Sequence, residues 1–112
     1  MCRRRLFTQM KHPPHKSYRK IRCTQTLVQR ARVLALSGDE TRIRILCFLS
    51  EYHEACVSDI AESLETSINT VSHHLRMMRD NGLLASERTG TRICYKLVPN
   101  DFVEQVCHAI CV

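Results

Sequence analysis

Two short helical patterns separated by a tight turn lie in the middle of this chain, and they limit what it can fold into. Val57, Ile60, Ala61 and Leu64 recur at i, i+3, i+4 and i+7, the apolar stripe of a two-turn amphipathic helix. After Glu65-Thr66, Ser67 has the side chain to cap a second helix whose inward face reads Ile68, Val71, Leu75 and Met78, and Asn81-Gly82 offers a left-handed stop. Two such helices form a helix-turn-helix, in which the first holds the second in place and leaves its outer side free to enter a major groove.

The flanking segments fit around this pair. Leu27, Val28, Ala31, Leu34 and Ala35 predict a helix ending near Ser37-Gly38, and Asp39 is placed to cap another, carrying Ile43, Ile45, Leu46, Phe48 and Leu49 and ending near Glu51. Leu83 to Arg88 and Arg92 to Leu97 read as extended runs around Thr89-Gly90-Thr91, a β-hairpin that would act as a wing directly after the reading helix. Phe102, Val103, Val106, Cys107 and Ile110 mark a last helix capped by Asn100 or Asp101. The expectation is a mainly α winged helix-turn-helix with a β-hairpin wing, in the order α-α-α-α-β-β-α.

With 112 residues there is material for one compact domain. The net charge of +6 is carried by its start: eight of the 17 Lys and Arg, and none of the 11 acids, fall in residues 1–23. The division expected is therefore a basic, disordered arm over 1–23, punctuated by Pro13-Pro14, and a winged helix-turn-helix DNA-binding domain over 24–112. Such an arm attracts phosphate by counterion release; it can equally be a solvated extension, or an overcalled start with Met10 as the internal candidate. No apolar run approaches a membrane span and no apolar stretch follows the basic start, so a soluble cytoplasmic protein without a membrane partner is expected.

On the predicted reading helix, Ser67, Asn69, Thr70, Ser72, His73 and Arg76 fall away from Ile68, Val71 and Leu75, with side chains that hydrogen-bond to base edges or phosphates of double-stranded DNA. Arg88 and Arg92 flank the wing turn and suit phosphate or minor-groove contact. Any surface helix has a polar outer face; what favours DNA is that this one follows a helix-turn and precedes a wing. There is no glycine-rich phosphate loop and no convincing carboxylate pair, which argues against an enzyme. A winged helix used only for protein contacts would more often expose apolar residues on this face.

Three segments carry a family resemblance. Leu36-Ser37-Gly38-Asp39-Glu40-Thr41-Arg42-Ile43-Arg44-Ile45-Leu46 looks like the helix entry of the ArsR/SmtB regulators, Ala55 to Ala61 resembles their metal-box segment, and Val71-Ser72-His73-His74-Leu75-Arg76 is similar to their recognition helix. The resemblance runs from about residue 30 to 98. It implies a homodimer assembled by the first and last helices, which represses an operon until an inducer loosens its hold on an operator.

Seven cysteines frame the question of the inducer. Their odd number and irregular spacing argue against a disulfide framework and leave metal binding, thiol redox chemistry or burial. By the resemblance, Cys56 opens the metal box, but Ser58 stands where a second cysteine would be, so soft-metal binding there needs partners such as Cys2 and Cys23 of the arm. Cys107 and Cys111 are four apart with His108 beside Cys107, which predicts two sulfurs on one helical face near the dimer seam. Burial of Cys56 and of Cys107 remains the plain alternative. Cys47, between Leu46 and Phe48, is expected in the core, and Cys94 can face either way. The expected inducer is a soft divalent metal (Cd, Pb, Zn) or As(III); the alternative is thiol oxidation or reactive sulfur.

Overall fold

The computed structural model describes residues 17–111, so Cys2, Met10 and most of the basic arm lie outside the described residues. Residues 17–24 are exposed and belong to no helix or strand. Helix α1 spans Gln25–Ser37, with Thr24 Oγ1 accepting a hydrogen bond from the Leu27 amide at 3.1 Å. Within the chain it buries only Val33 and Ser37; Leu27, Val28 and Leu34 of the predicted stripe are exposed. Helix α2 spans Glu40–Tyr52 and is capped as expected by Asp39, whose carboxylate accepts from the Arg42 amide at 3.1 Å. That hydrogen bond is the main reason why the Asp39 carboxyl lies below its ordinary range.

Helices α3, Val57–Leu64, and α4, Ile68–Asp80, form the predicted pair. The turn between them is closed by Glu65 in the left-handed region and by the Thr66 amide donating to the Ala61 carbonyl at 3.0 Å. Ser67 caps α4, its Oγ accepting from the Thr70 amide at 3.2 Å. Gly82, at φ 83°, takes the left-handed position after the last turn. One member of the expected inward face departs: Ile68, the first residue of α4, is exposed because it borders an open groove with Val57, Ser72 and Arg92, while Val71, Leu75 and Met78 are fully buried.

The wing is β2, Leu84–Thr89, paired with β3, Arg92–Leu97, around Gly90-Thr91, and Gly90 at φ 65° provides the positive φ that a two-residue hairpin turn needs. The expectation of two strands is corrected to three. β1, Glu54–Cys56, pairs antiparallel with β3, giving the order β1-β3-β2. A three-residue strand is too short to show an alternation, so only its partner reveals it. Helix α5, Asp101–Ile110, closes the fold, with Asn100 Oδ1 accepting from the Phe102 and Val103 amides.

One core joins these elements: Ile45, Leu46 and Leu49 of α2, Ile60 and Leu64 of α3, Val71, Leu75 and Met78 of α4, Tyr95 of β3, and Val103 and Val106 of α5. The Arg30 guanidinium lies over the Phe102 ring, 5.1 Å from its centroid, and ties α1 to α5. The result is a mainly α winged helix-turn-helix. Leu75, with no exposed surface, sits at the centre of the contact that seats α4. Leu75→Ala is expected to lower the unfolding free energy in urea by about 2–5 kcal/mol; a loss below about 1 kcal/mol would mean that α4 is not docked by this face.

Candidate nucleic-acid interface

The buried face of α4 dictates where its polar residues go. With Val71, Leu75 and Met78 inward, Asn69, Thr70, His73 and Arg76 are exposed and Ser72 is half-buried. Ser67 is also exposed, but its hydroxyl is engaged in the cap and donates to Thr70 Oγ1 at 2.8 Å, so it shapes the start of the helix first. Arg76 Nη1 donates to Ser72 Oγ at 2.7 Å, which orients the guanidinium along the helix surface. Adjacent His73 and His74 diverge. His73 is exposed, whereas His74 is half-buried with Nδ1 enclosed and without a hydrogen-bond partner among the described residues.

Two arginines of α2, Arg42 and Arg44, brace the helix pair. Arg42 Nε donates to the Leu36 carbonyl at 2.7 Å, and its Nη1 meets Met77 Sδ of α4 at 3.1 Å. Arg44 Nη2 donates to the Leu64 carbonyl at the end of α3. No local signal identified these roles, since Met77 and Leu64 lie 35 and 20 residues further along the chain.

At the wing, Arg88 and Arg92 are exposed. Cross-strand partners share a face, and the register sets Arg88 opposite Ile93 and Arg92 opposite Thr89, so the two arginines project from opposite faces of the hairpin. Arg92 turns back toward α3, its Nη2 lying 3.5 Å from Asp59 Oδ2. The pair is exposed on both sides and worth little; Arg92 can exchange this carboxylate for a phosphate.

The cysteines are arranged differently from the expectation. The structure joins Cys47 to Cys111 and Cys56 to Cys94 as disulfides, with Cα separations of 5.5 and 3.9 Å. These pairs span 64 and 38 residues of sequence, so spacing alone could not show them. Cys47 is half-buried on α2 and faces the chain's end, not the core interior. Cys107 and Cys111 do not share a face: Cys107 is buried with Sγ 4.0 Å from the Leu46 carbonyl oxygen, whereas Cys111 has left the helix in an extended conformation. Burial pushes the Cys107 thiol up, which keeps it protonated and a poor ligand. His108 and Cys23 are exposed, and Cys2 lies outside the described residues. Among the described residues, no three His, Cys, Asp or Glu side chains gather as a metal site. Within one chain the donors Cys56, Cys107 and Cys111 therefore do not form a set of the size that Zn or Cd prefers.

Known proteins share this fold. The family described as bacterial regulatory protein, arsR family, matches residues 39–86, from the cap of α2 into β2. An HTH-type transcriptional regulator of Methanocaldococcus jannaschii is 33% identical over 76 residues, which cover 68% of this chain and 84% of that protein. The chain belongs to the ArsR family. An ArsR-type relative, the arsenical resistance operon repressor of Escherichia coli K12, is 38% identical over 73 residues; the match covers 65% of this chain and 60% of that protein. The homodimeric winged helix-turn-helix DNA-binding domain of a possible ArsR-family regulator from Mycobacterium bovis superimposes with a TM-score of 0.65 at 28% identity, covering 75% of this chain and 77% of that one. These relatives are described as regulators or repressors of transcription, none as an enzyme.

If α4 reads DNA, Arg76→Ala weakens binding to a duplex selected from a random-sequence pool by about tenfold or more, within the range for a lost base or phosphate contact. Circular dichroism should be unchanged. Unaltered affinity would remove α4 as the reading helix.

Proposed function

We propose that this chain is a DNA-binding transcriptional repressor that acts as a homodimer, and that its hold on the operator is released when Cys47 and Cys111 react together. The observation that carries the switch is the Cys47–Cys111 pair, which ties the middle of α2 to the residue that ends α5. Among the described residues no helix is long and apolar enough to cross a membrane. A regulator working on bacterial operators is cytoplasmic, where thiols are held reduced and the disulfides that do form are mostly transient or redox-sensing.

The dimer follows from what the single chain leaves uncovered. Leu27, Val28 and Leu34 on α1 and Ile110 on α5 are exposed apolar side chains on two helices that Arg30 and Phe102 hold together. A twofold axis through that surface buries them against their copies. The Mycobacterium bovis relative is described as homodimeric. Leu34→Glu should shift the protein toward monomer in sedimentation velocity, and an unchanged dimer would move the seam elsewhere.

With the seam there, α5 links dimer geometry to the core, and Cys111 lies where a bond to α2 resets the end of that helix. In the reduced form both sulfurs are thiols. A two-electron oxidant such as peroxide takes two electrons and two protons from the pair, forming one S–S bond and two waters. The operator-binding conformation then loses population by the coupling free energy between bond formation and DNA binding.

A second reading has its own support. The Escherichia coli relative is named for arsenical resistance, and two thiols at bonding distance also chelate As(III) or a soft divalent metal. The further ligands that Zn, Cd or Pb would want can come from the arm, Cys2 and Cys23, or from the second protomer.

One titration separates the readings. Reduced protein is bound anaerobically to operator DNA, followed by fluorescence anisotropy, and treated with peroxide or persulfide, or with As(III), Cd(II), Pb(II) or Zn(II). The thiol reading expects oxidant to weaken binding about tenfold or more, equivalent to about 1.4 kcal/mol of coupling. Cys47→Ser should abolish this weakening. Release by a metal or metalloid alone would establish the second reading, and no response to either would refute cysteine control.

A further inference from the structure

A second pair of cysteines occupies the other half of the molecule, at the junction of wing and helix-turn-helix. Cys56 ends β1 and immediately precedes α3, Cys94 lies in the middle of β3, and the strand register sets them directly opposite each other. Their Cα atoms are 3.9 Å apart. Side chains alternate along a strand, so both sulfurs lie on the sheet face opposite Tyr95, and the ladder itself keeps them facing. Both residues are half-buried, and Cys56 opens on a groove of about 300 Å³ bounded also by Val57, Ile68, Ser72 and Arg92. Neither belongs to the Cys47–Cys111 pair.

We propose that Cys56 and Cys94 are a second, independent modification site: a cross-strand dithiol that a low-molecular-weight disulfide oxidises reversibly, fastening the root of the wing to the helix-turn-helix and tightening operator binding. The sign is opposite to that of the Cys47–Cys111 pair.

The chemistry is an exchange of bonds. The Cys56 thiolate, reached through the groove, attacks one sulfur of the oxidant; the oxidant's S–S bond breaks, one thiolate leaves, and a mixed disulfide remains on Cys56. Cys94 then attacks the Cys56 sulfur and expels the second thiolate. The two protons of the protein thiols end on the two leaving thiolates, and two electrons pass from the pair to the oxidant.

What gives this bond an effect is the weakness of everything else at the junction. β1 contributes only three residues of ladder, and the Asp59–Arg92 pair at 3.5 Å joins two side chains that are 58% and 59% exposed, so it adds little. Arg92, the wing-tip arginine, is two residues from Cys94 on the same face of β3. A covalent tie at the root removes motion of the wing that binding would otherwise have to freeze, and such preorganisation raises affinity.

The test uses the full chain with Cys47→Ser and Cys111→Ser, so that the first pair cannot respond. Reduced protein is exposed to oxidised glutathione, digested with trypsin and analysed by mass spectrometry. The expected product is the peptide Ile45–Arg76 joined to Ile93–Lys96, which in this background can be linked only through Cys56 and Cys94. Operator affinity should rise about three- to tenfold on oxidation, return on reduction, and stay constant in a protein also carrying Cys94→Ser. Absence of the linked peptide overturns the site, and a linked peptide with unchanged or weakened operator binding overturns its coupling to DNA. If the double variant bound no DNA at all, the reading of this chain as a repressor would fall. The site would then be decided by the linked peptide and by slower amide exchange in β1 and β3 after oxidation.

Discussion

The seating of one helix governs the rest of this molecule. Val71, Leu75 and Met78 of α4 are wholly buried in the core that α2 and α3 build, and this burial fixes the rotation of α4 about its own axis. Once the rotation is fixed, Asn69, Thr70, His73 and Arg76 must point outward. The polar supports act on the same helix: Ser67 at its start, Arg42 against Met77 near its end, and Arg44 holding the end of the preceding helix. A chain that lost this apolar contact would keep the residues that suit DNA and lose the surface that presents them.

Much of this was legible because it is local. The caps at Asp39, Ser67 and Asn100 and the positive-φ glycines at 82 and 90 follow from side-chain and backbone chemistry within a few residues, and the structure has each where that chemistry requires it. The departures are all tertiary. β1 exists only because β3 passes beside Glu54–Cys56. Ile68 fits the helical stripe but borders an open groove and stays exposed. Cys111 keeps the spacing of a helical neighbour of Cys107, yet the helix ends at Ile110, and its sulfur goes to Cys47 instead. The number of cysteines raised the question of their chemistry, and the sequence pattern did not show which cysteine meets which.

The two cysteine pairs divide the molecule along functional lines. Cys47 and Cys111 join α2 to the end of α5, next to the exposed Ile110; Cys56 and Cys94 lie between the helix-turn-helix and the wing. If both pairs react as proposed, the first alters how two copies are held relative to each other, and the second alters how firmly one copy presents its wing. Because the pairs share no residue, their effects on DNA binding can be separated by substitution.

The claim on which everything else stands is that α4 and the wing form the surface that meets DNA. Its most direct test is to follow backbone amide resonances of the reduced protein by NMR as a selected operator duplex is added. The account predicts that the largest shifts fall in Asn69–Arg76 and in Arg88–Arg92, with the buried residues of α2 little changed. Shifts confined to α1 and α5, with those two segments silent, would contradict it.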